Sequence, residues 1–96
     1  MTRYCGLALK LTPDLNIEDT LSQFAETYFG AIRAVQIDEY QFDIDNGLND
    51  LRAIIKPEQG LIAFCCRYER DVPRTEAKLE KFIELNQLNP VLCIHD

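Results

Sequence analysis

Between Asn16 and Gly30 the apolar residues return with the period of a helix, and on both sides of that stretch they alternate with the period of a strand. Ile17, Leu21, Phe24, Ala25 and Tyr28 share one face of an α-helix. Asn16 is a suitable N-cap, Glu18 and Asp19 place carboxylates in the first turn, and Gly30 supplies the closing glycine. Neither an amphipathic helix nor a half-apolar strand can bury its apolar side alone. A chain that carries both is therefore driven to a layered α and β architecture.

The flanking segments complete the pattern. Arg3 to Leu11 alternates Cys5, Leu7, Leu9 and Leu11 with Tyr4, Gly6, Ala8 and Lys10, which predicts a strand. Ile32 to Ile44 is β-rich but changes parity: Val35 and Ile37 are odd-numbered, whereas Tyr40, Phe42 and Ile44 are even-numbered. One strand face cannot hold both sets without a bulge or a turn near Asp38-Glu39. A single long bulged strand is the favoured reading, two short strands the other. Asn46-Gly47 signals a turn. The segment 48–56 has two readings, a strand or a short helix; the helix is favoured, with Asn49-Asp50 as caps and Pro57 as stop. Leu61 to Glu69 is an apolar run suited to a central strand. Pro73, Leu79, Phe82 and Ile83 mark a second helix opening at Asp71-Val72-Pro73 and ending in Asn86 to Pro90, and Val91 to His95 forms a last short strand.

With 96 residues, 47% of them hydrophobic, residues 1–96 form one globular domain. The order β-α-β-(α)-β-α-β predicts an α+β two-layer sandwich, with a ferredoxin-like βαββαβ arrangement preferred and a short extra helix at 48–56. The alternative is α/β with a mostly parallel sheet, if 48–56 acts as a crossover helix. The N-terminal segment lacks the pattern of a signal peptide and no apolar run is long enough to span a bilayer, so a soluble, cytoplasmic protein is expected.

Charge is divided along the chain. From Leu11 to Leu51, Asp14, Glu18, Asp19, Glu26, Asp38, Glu39, Asp43, Asp45 and Asp50 stand against Arg33 alone. From Arg52 to Lys81, seven basic residues are interleaved with Glu58, Glu69, Asp71, Glu76 and Glu80. With a net charge of −6, the acidic part repels phosphate backbones and anionic membranes and favours a basic protein surface.

Motifs for chemistry are sparse. Cys5, Cys65, Cys66 and Cys93 lie in strand-like stretches and read as small buried hydrophobes with reduced thiols. Cys93 and His95 share a strand face, but no C-x-x-C spacing accompanies them, and no metal site is expected. The run Asp43 to Asp50 imitates a calcium loop, yet a loop starting at Asp43 has Gly47 at the fifth position and Ile54 where the bidentate Glu belongs. Gly60 to Tyr68 falls where RNA-recognition domains carry their third-strand motif. Ala63 and Phe64 are in phase, but Ile62 and Arg67 replace the stacking aromatics. The acylphosphatase pattern, a Gly-rich loop ending in a catalytic Arg, is replaced by Leu11-Thr12-Pro13-Asp14.

Two functions remain, neither with a cofactor. The first is a non-enzymatic acidic protein-binding module, of inhibitor, immunity-type or adaptor kind, docking on a basic partner through Asp38, Glu39, Tyr40, Asp43, Asp45 and Asp50. Tyr40 or Phe42 would be an anchor if the parity shift turns it outward. The second is a small-ligand or nucleotide-binding regulatory domain that takes an anion at Arg67, Arg70, Arg74 and Lys78. A homodimer is compatible with either, and direct nucleic-acid binding with neither.

Overall fold

The structure, a computed structural model, describes residues 3–44 and 50–92, and these build one six-stranded sheet and two α-helices. The elements are β1 (Leu7–Lys10), α1 (Ile17–Phe29), β2 (Val35–Asp38), β3 (Gln41–Asp43), β4 (Leu51–Lys56), β5 (Leu61–Cys66), α2 (Val72–Leu85) and β6 (Pro90–Leu92). The strands lie in the order β2-β3-β4-β5-β1-β6, and all five neighbouring pairs are antiparallel. The protein is thus an α+β domain. The four-stranded βαββαβ arrangement is replaced by a strand-rich β-α-β-β-β-β-α-β order, and the parallel-sheet alternative has no support.

Both helices form where local signals place them. The Asn16 side chain accepts the Asp19 N–H at 3.0 Å, and Gly30 turns the chain out of α1 at φ +63°. Pro73 sits in the first turn of α2. Odd-numbered residues of β1 and β4 and even-numbered residues of β3 and β5 face the helices, so Leu9, Phe42, Leu51, Ala53, Ile62, Phe64 and Cys66 join Leu21, Phe24, Leu79 and Phe82 in one core. Phe24 is its centre, with ring centroids 5.0 Å from Phe82, 5.5 Å from Phe64 and 5.4 Å from Phe29. On the opposite face Ala8, Leu61 and Ala63 form a thin second cluster with Tyr4 and Val91, and Lys56 Nζ sits 4.6 Å over the Tyr4 ring.

Two segments depart from the sequence reading. Leu51–Lys56 is strand, not helix: it pairs along its whole length with β5 and along β3, and Leu51 and Ala53 turn to the core. Pro57, which reads as a helix stop, serves a hairpin instead. Pro57 opens a 3-10 turn over Pro57–Gln59, and Gly60 at φ +68° returns the chain into β5. Residues 48 and 49 of the expected helix lie outside the described residues. In the 32–44 segment, the favoured single bulged strand is replaced by two short strands. Its parity change is absorbed by a hairpin turn at Glu39-Tyr40, and a register shift between Gln36 and Asp38 adds a bulge within β2.

The first strand is shorter than Arg3 to Leu11. Tyr4 pairs with Cys65, whereas Leu9 pairs with Ile62, so the chain slips by two residues around Gly6. An even slip keeps Cys5 and Leu9 on the same face. The Gly6 N–H donates to a carboxylate oxygen of Glu76 on α2. β5 ends at Cys66, short of Glu69, and beyond Leu92 the expected last strand lies outside the described residues.

Candidate functional site

Among the described residues β2 is the outermost strand of the sheet and meets β3 on one side only. All four of its residues are exposed. Ile32, before the strand, Val35 and Ile37 on it, and Tyr40 in its turn expose 83, 43, 47 and 46% of their surfaces. Isolated apolar residues on a surface are ordinary, but four within nine residues are a local concentration at an open sheet edge. Ser22 on α1 anchors the entry to the strand, its Oγ accepting the Ala34 N–H at 3.0 Å. At the other end Asp38 organises the turn: its Oδ1 accepts the Tyr40 N–H at 2.9 Å and its Oδ2 accepts from Gln41 Nε2 at 3.1 Å.

The acidic residues expected to act together are divided by the fold. Asp38, Glu39 and Tyr40 are together and exposed. Asp43 is 2% exposed, on the sheet face away from the helices and opposite Arg52 in the β3–β4 register, so it is not a contact residue. Asp50 precedes the interior strand β4 and lies 3.9 Å from Arg67, away from this edge strand. Asp45 lies outside the described residues. Of the two aromatic anchors considered, Tyr40 turns outward and Phe42 is buried.

The basic residues are committed to local partners. Arg74 pairs with Asp71 at 2.8 Å, Arg70 lies 4.7 Å over the Tyr68 ring, and Lys78 Nζ donates to Tyr28 O at 3.1 Å while sitting 4.4 Å over Phe29. Arg74 and Lys78 do meet at a cavity of about 210 Å³ lined also by Phe29, Asp50, Leu51, Asp71 and Thr75. Two carboxylates balance its two cations, and Arg67 and Arg70 are not in its wall.

Beneath that cavity lies a buried dithiol. Cys5 and Cys66 flank the Tyr4–Cys65 pair on the core face; the Cys5 N–H donates to Phe64 O at 2.8 Å and the Cys66 N–H to Arg3 O at 2.9 Å. The Cys5 thiol is hydrogen-bonded to Cys66, which with burial raises Cys5 far above the ordinary thiol range. The same bond lowers Cys66 to about 7, against burial, with help from Thr75, whose Oγ1 lies 3.5 Å from Cys66 Sγ. Both residues are buried. Cys65 points to the other face and is half-buried. Cys93 and His95 lie outside the described residues, and among the described residues no three His, Cys, Asp or Glu side chains converge as a metal site. No helix among them is long and apolar enough to cross a membrane.

Sequence reasoning missed Val35 and Ile37 because alternating β-branched residues normally point to a core. The only signal was their parity, opposite to that of Phe42 and Ile44, which fill the core. No protein-family model, curated protein or solved structure matches this chain.

Proposed function

We propose that this domain is a non-enzymatic protein-recognition module that receives its partner along β2 and the turn Asp38-Glu39-Tyr40. The supporting observation is the concentration of exposed apolar side chains, Ile32, Val35, Ile37 and Tyr40, on the open edge of the sheet. A strand edge offers unpaired backbone groups as well as side chains, so an extended partner segment gains main-chain hydrogen bonds and apolar burial together. Asp38 and Glu39 beside it, in a chain of net charge −6, favour a partner with basic residues at that end.

Immobilised protein incubated with lysate provides the test, with Ile37→Lys as the control. Proteins held by the wild type and lost from Ile37→Lys are expected, and salt should weaken their retention. An identical set on both would remove the edge from the reading.

A second reading is a regulatory domain for a small anion, resting on the cavity where Arg74 and Lys78 meet. A rise in melting temperature with phosphate or nucleotide, abolished in Lys78→Met, is its signature. Unchanged melting with both would leave the cavity as a surface groove.

A further inference from the structure

Two cysteines far apart in sequence meet beneath the cavity that Arg74 and Lys78 line. Cys5 lies in the segment before β1 and Cys66 closes β5; both are buried on the core face, flanking the Tyr4–Cys65 pair. Their thiols are hydrogen-bonded to each other, so they are neighbours on adjacent stretches of the sheet and need no change of register to be joined. We propose that Cys5 and Cys66 form a site of reversible oxidation, closed to a disulfide by a small hydroperoxide, with Cys66 as the attacking sulfur and Cys5 as the resolving one.

The surroundings assign these roles. Thr75 Oγ1 lies 3.5 Å from Cys66 Sγ, and Thr75 is also part of the wall of the cavity of about 210 Å³, so it touches both the cavity and the attacking sulfur. The bonds to Cys5 and Thr75 hold Cys66 at about 7, against burial and the nearby carboxylates Asp71 and Glu76, which makes it a thiolate in large part near neutral pH. Cys5 is raised far above the ordinary thiol range and keeps its proton. Cys65, although next to Cys66 in sequence, turns to the opposite face, its Sγ 3.9 Å from Cys66 O, and is not placed to resolve the reaction.

The Cys66 thiolate attacks one peroxide oxygen. The S–O bond forms, the O–O bond breaks, and the departing hydroxide leaves as water with the proton that Cys66 released on ionising. Cys66 is thereby oxidised to a sulfenic acid and the peroxide is reduced. The Cys5 sulfur then attacks Cys66 Sγ: the S–S bond forms, the S–O bond breaks, and the hydroxyl leaves as a second water with the Cys5 proton. Two thiols and one hydrogen peroxide give one disulfide and two waters, and a dithiol reductant reverses the change. The bridge ties the segment before β1 to the end of β5.

Titration of the folded wild type with hydrogen peroxide, followed by thiol counting and peptide mass mapping, tests this. Two of the four thiols should be lost together, in a peptide pair linked through Cys5 and Cys66, and dithiothreitol should restore both. In Cys5→Ser the resolving sulfur is gone, so a dione probe for sulfenic acid should label Cys66 about tenfold or more above the wild type. Circular dichroism checks that this variant is folded, and the wild-type mapping decides the matter if it is not. Oxidation confined to Cys65 or Cys93 while Cys5 and Cys66 stay reduced overturns the proposal. So does a Cys66 sulfinic acid without a bridge, or a bridge that forms only after unfolding in urea.

Discussion

Cys5 and Cys66 show what one hydrogen bond does to two buried residues. In Cys5→Ala the S–H donor to Cys66 is gone and burial acts unopposed except by Thr75, so the Cys66 pKa should rise well above about 7. Ultraviolet thiolate absorbance against pH, in a background lacking Cys65 and Cys93, reads this directly. The pair also sets a pH dependence of stability. Cys66 titrates at about 7 when folded and near 8.5 when unfolded, so its contribution is fully present above about 8.5 and is lost as pH falls through about 7. Cys5 is raised by folding, so it lowers stability once the unfolded thiols ionise. Urea denaturation should therefore show stability rising from about pH 7 to a maximum near 8.5 and then declining, and Cys5→Ala should flatten the rise. Two other residues carry sharp expectations. Gln87 closes α2 at φ +54°, in a motif where Leu88 N–H donates to Ile83 O at 3.0 Å. Glycine adopts that conformation without a Cβ penalty, so Gln87→Gly should stabilise by about 0.5–1 kcal/mol in chemical denaturation. Asp43→Lys, although it lies within the acidic run, should cost about 3 kcal/mol because it places a cation in a buried site facing Arg52.

At the scale of elements, α1 and α2 were legible because a helix closes its hydrogen bonds within a few residues, and its caps, stripe and stop are written beside it. Asn16→Ala removes the acceptor for the Asp19 N–H and should cost about 1 kcal/mol. Phe24→Ala empties the junction of both helices with β5 and should cost about 3–5 kcal/mol, measured by the same denaturation. β4 was misread for the opposite reason. Pro57 after it stops a helix in one context and opens a hairpin turn in another. What decides between them is the ladder to β5, from Leu51 opposite Cys66 to Lys56 opposite Leu61, which no local window contains. The 32–44 segment shows an intermediate case: its parity change located the break near Asp38-Glu39, but a bulge and a turn satisfy the same alternation.

For the whole molecule, the long β-meander places the acidic run in three environments. Asp38 and Glu39 reach the open edge, Asp43 is buried, and Asp50 is drawn toward Arg67. A run of like charge in sequence is therefore not a patch in space, and salt dependence of docking should reside in Asp38 and Glu39. Reversing Asp38 and Glu39 together should reduce the salt sensitivity of partner retention, whereas Asp50→Lys should leave it unchanged. Legible in the chain without its tertiary structure are the layered α+β architecture, the two amphipathic helices, the burial of Cys5 and Cys66, and the core face of β1. These follow from periodicity and capping, which act over one or two turns of chain. Only the tertiary structure decided that 51–56 is a strand, that Cys5 and Cys66 meet, and that β2 is left at the sheet edge with Val35 and Ile37 in solvent. Each of these depends on which distant strand lies alongside, and that is settled by packing the whole sheet rather than by any one segment.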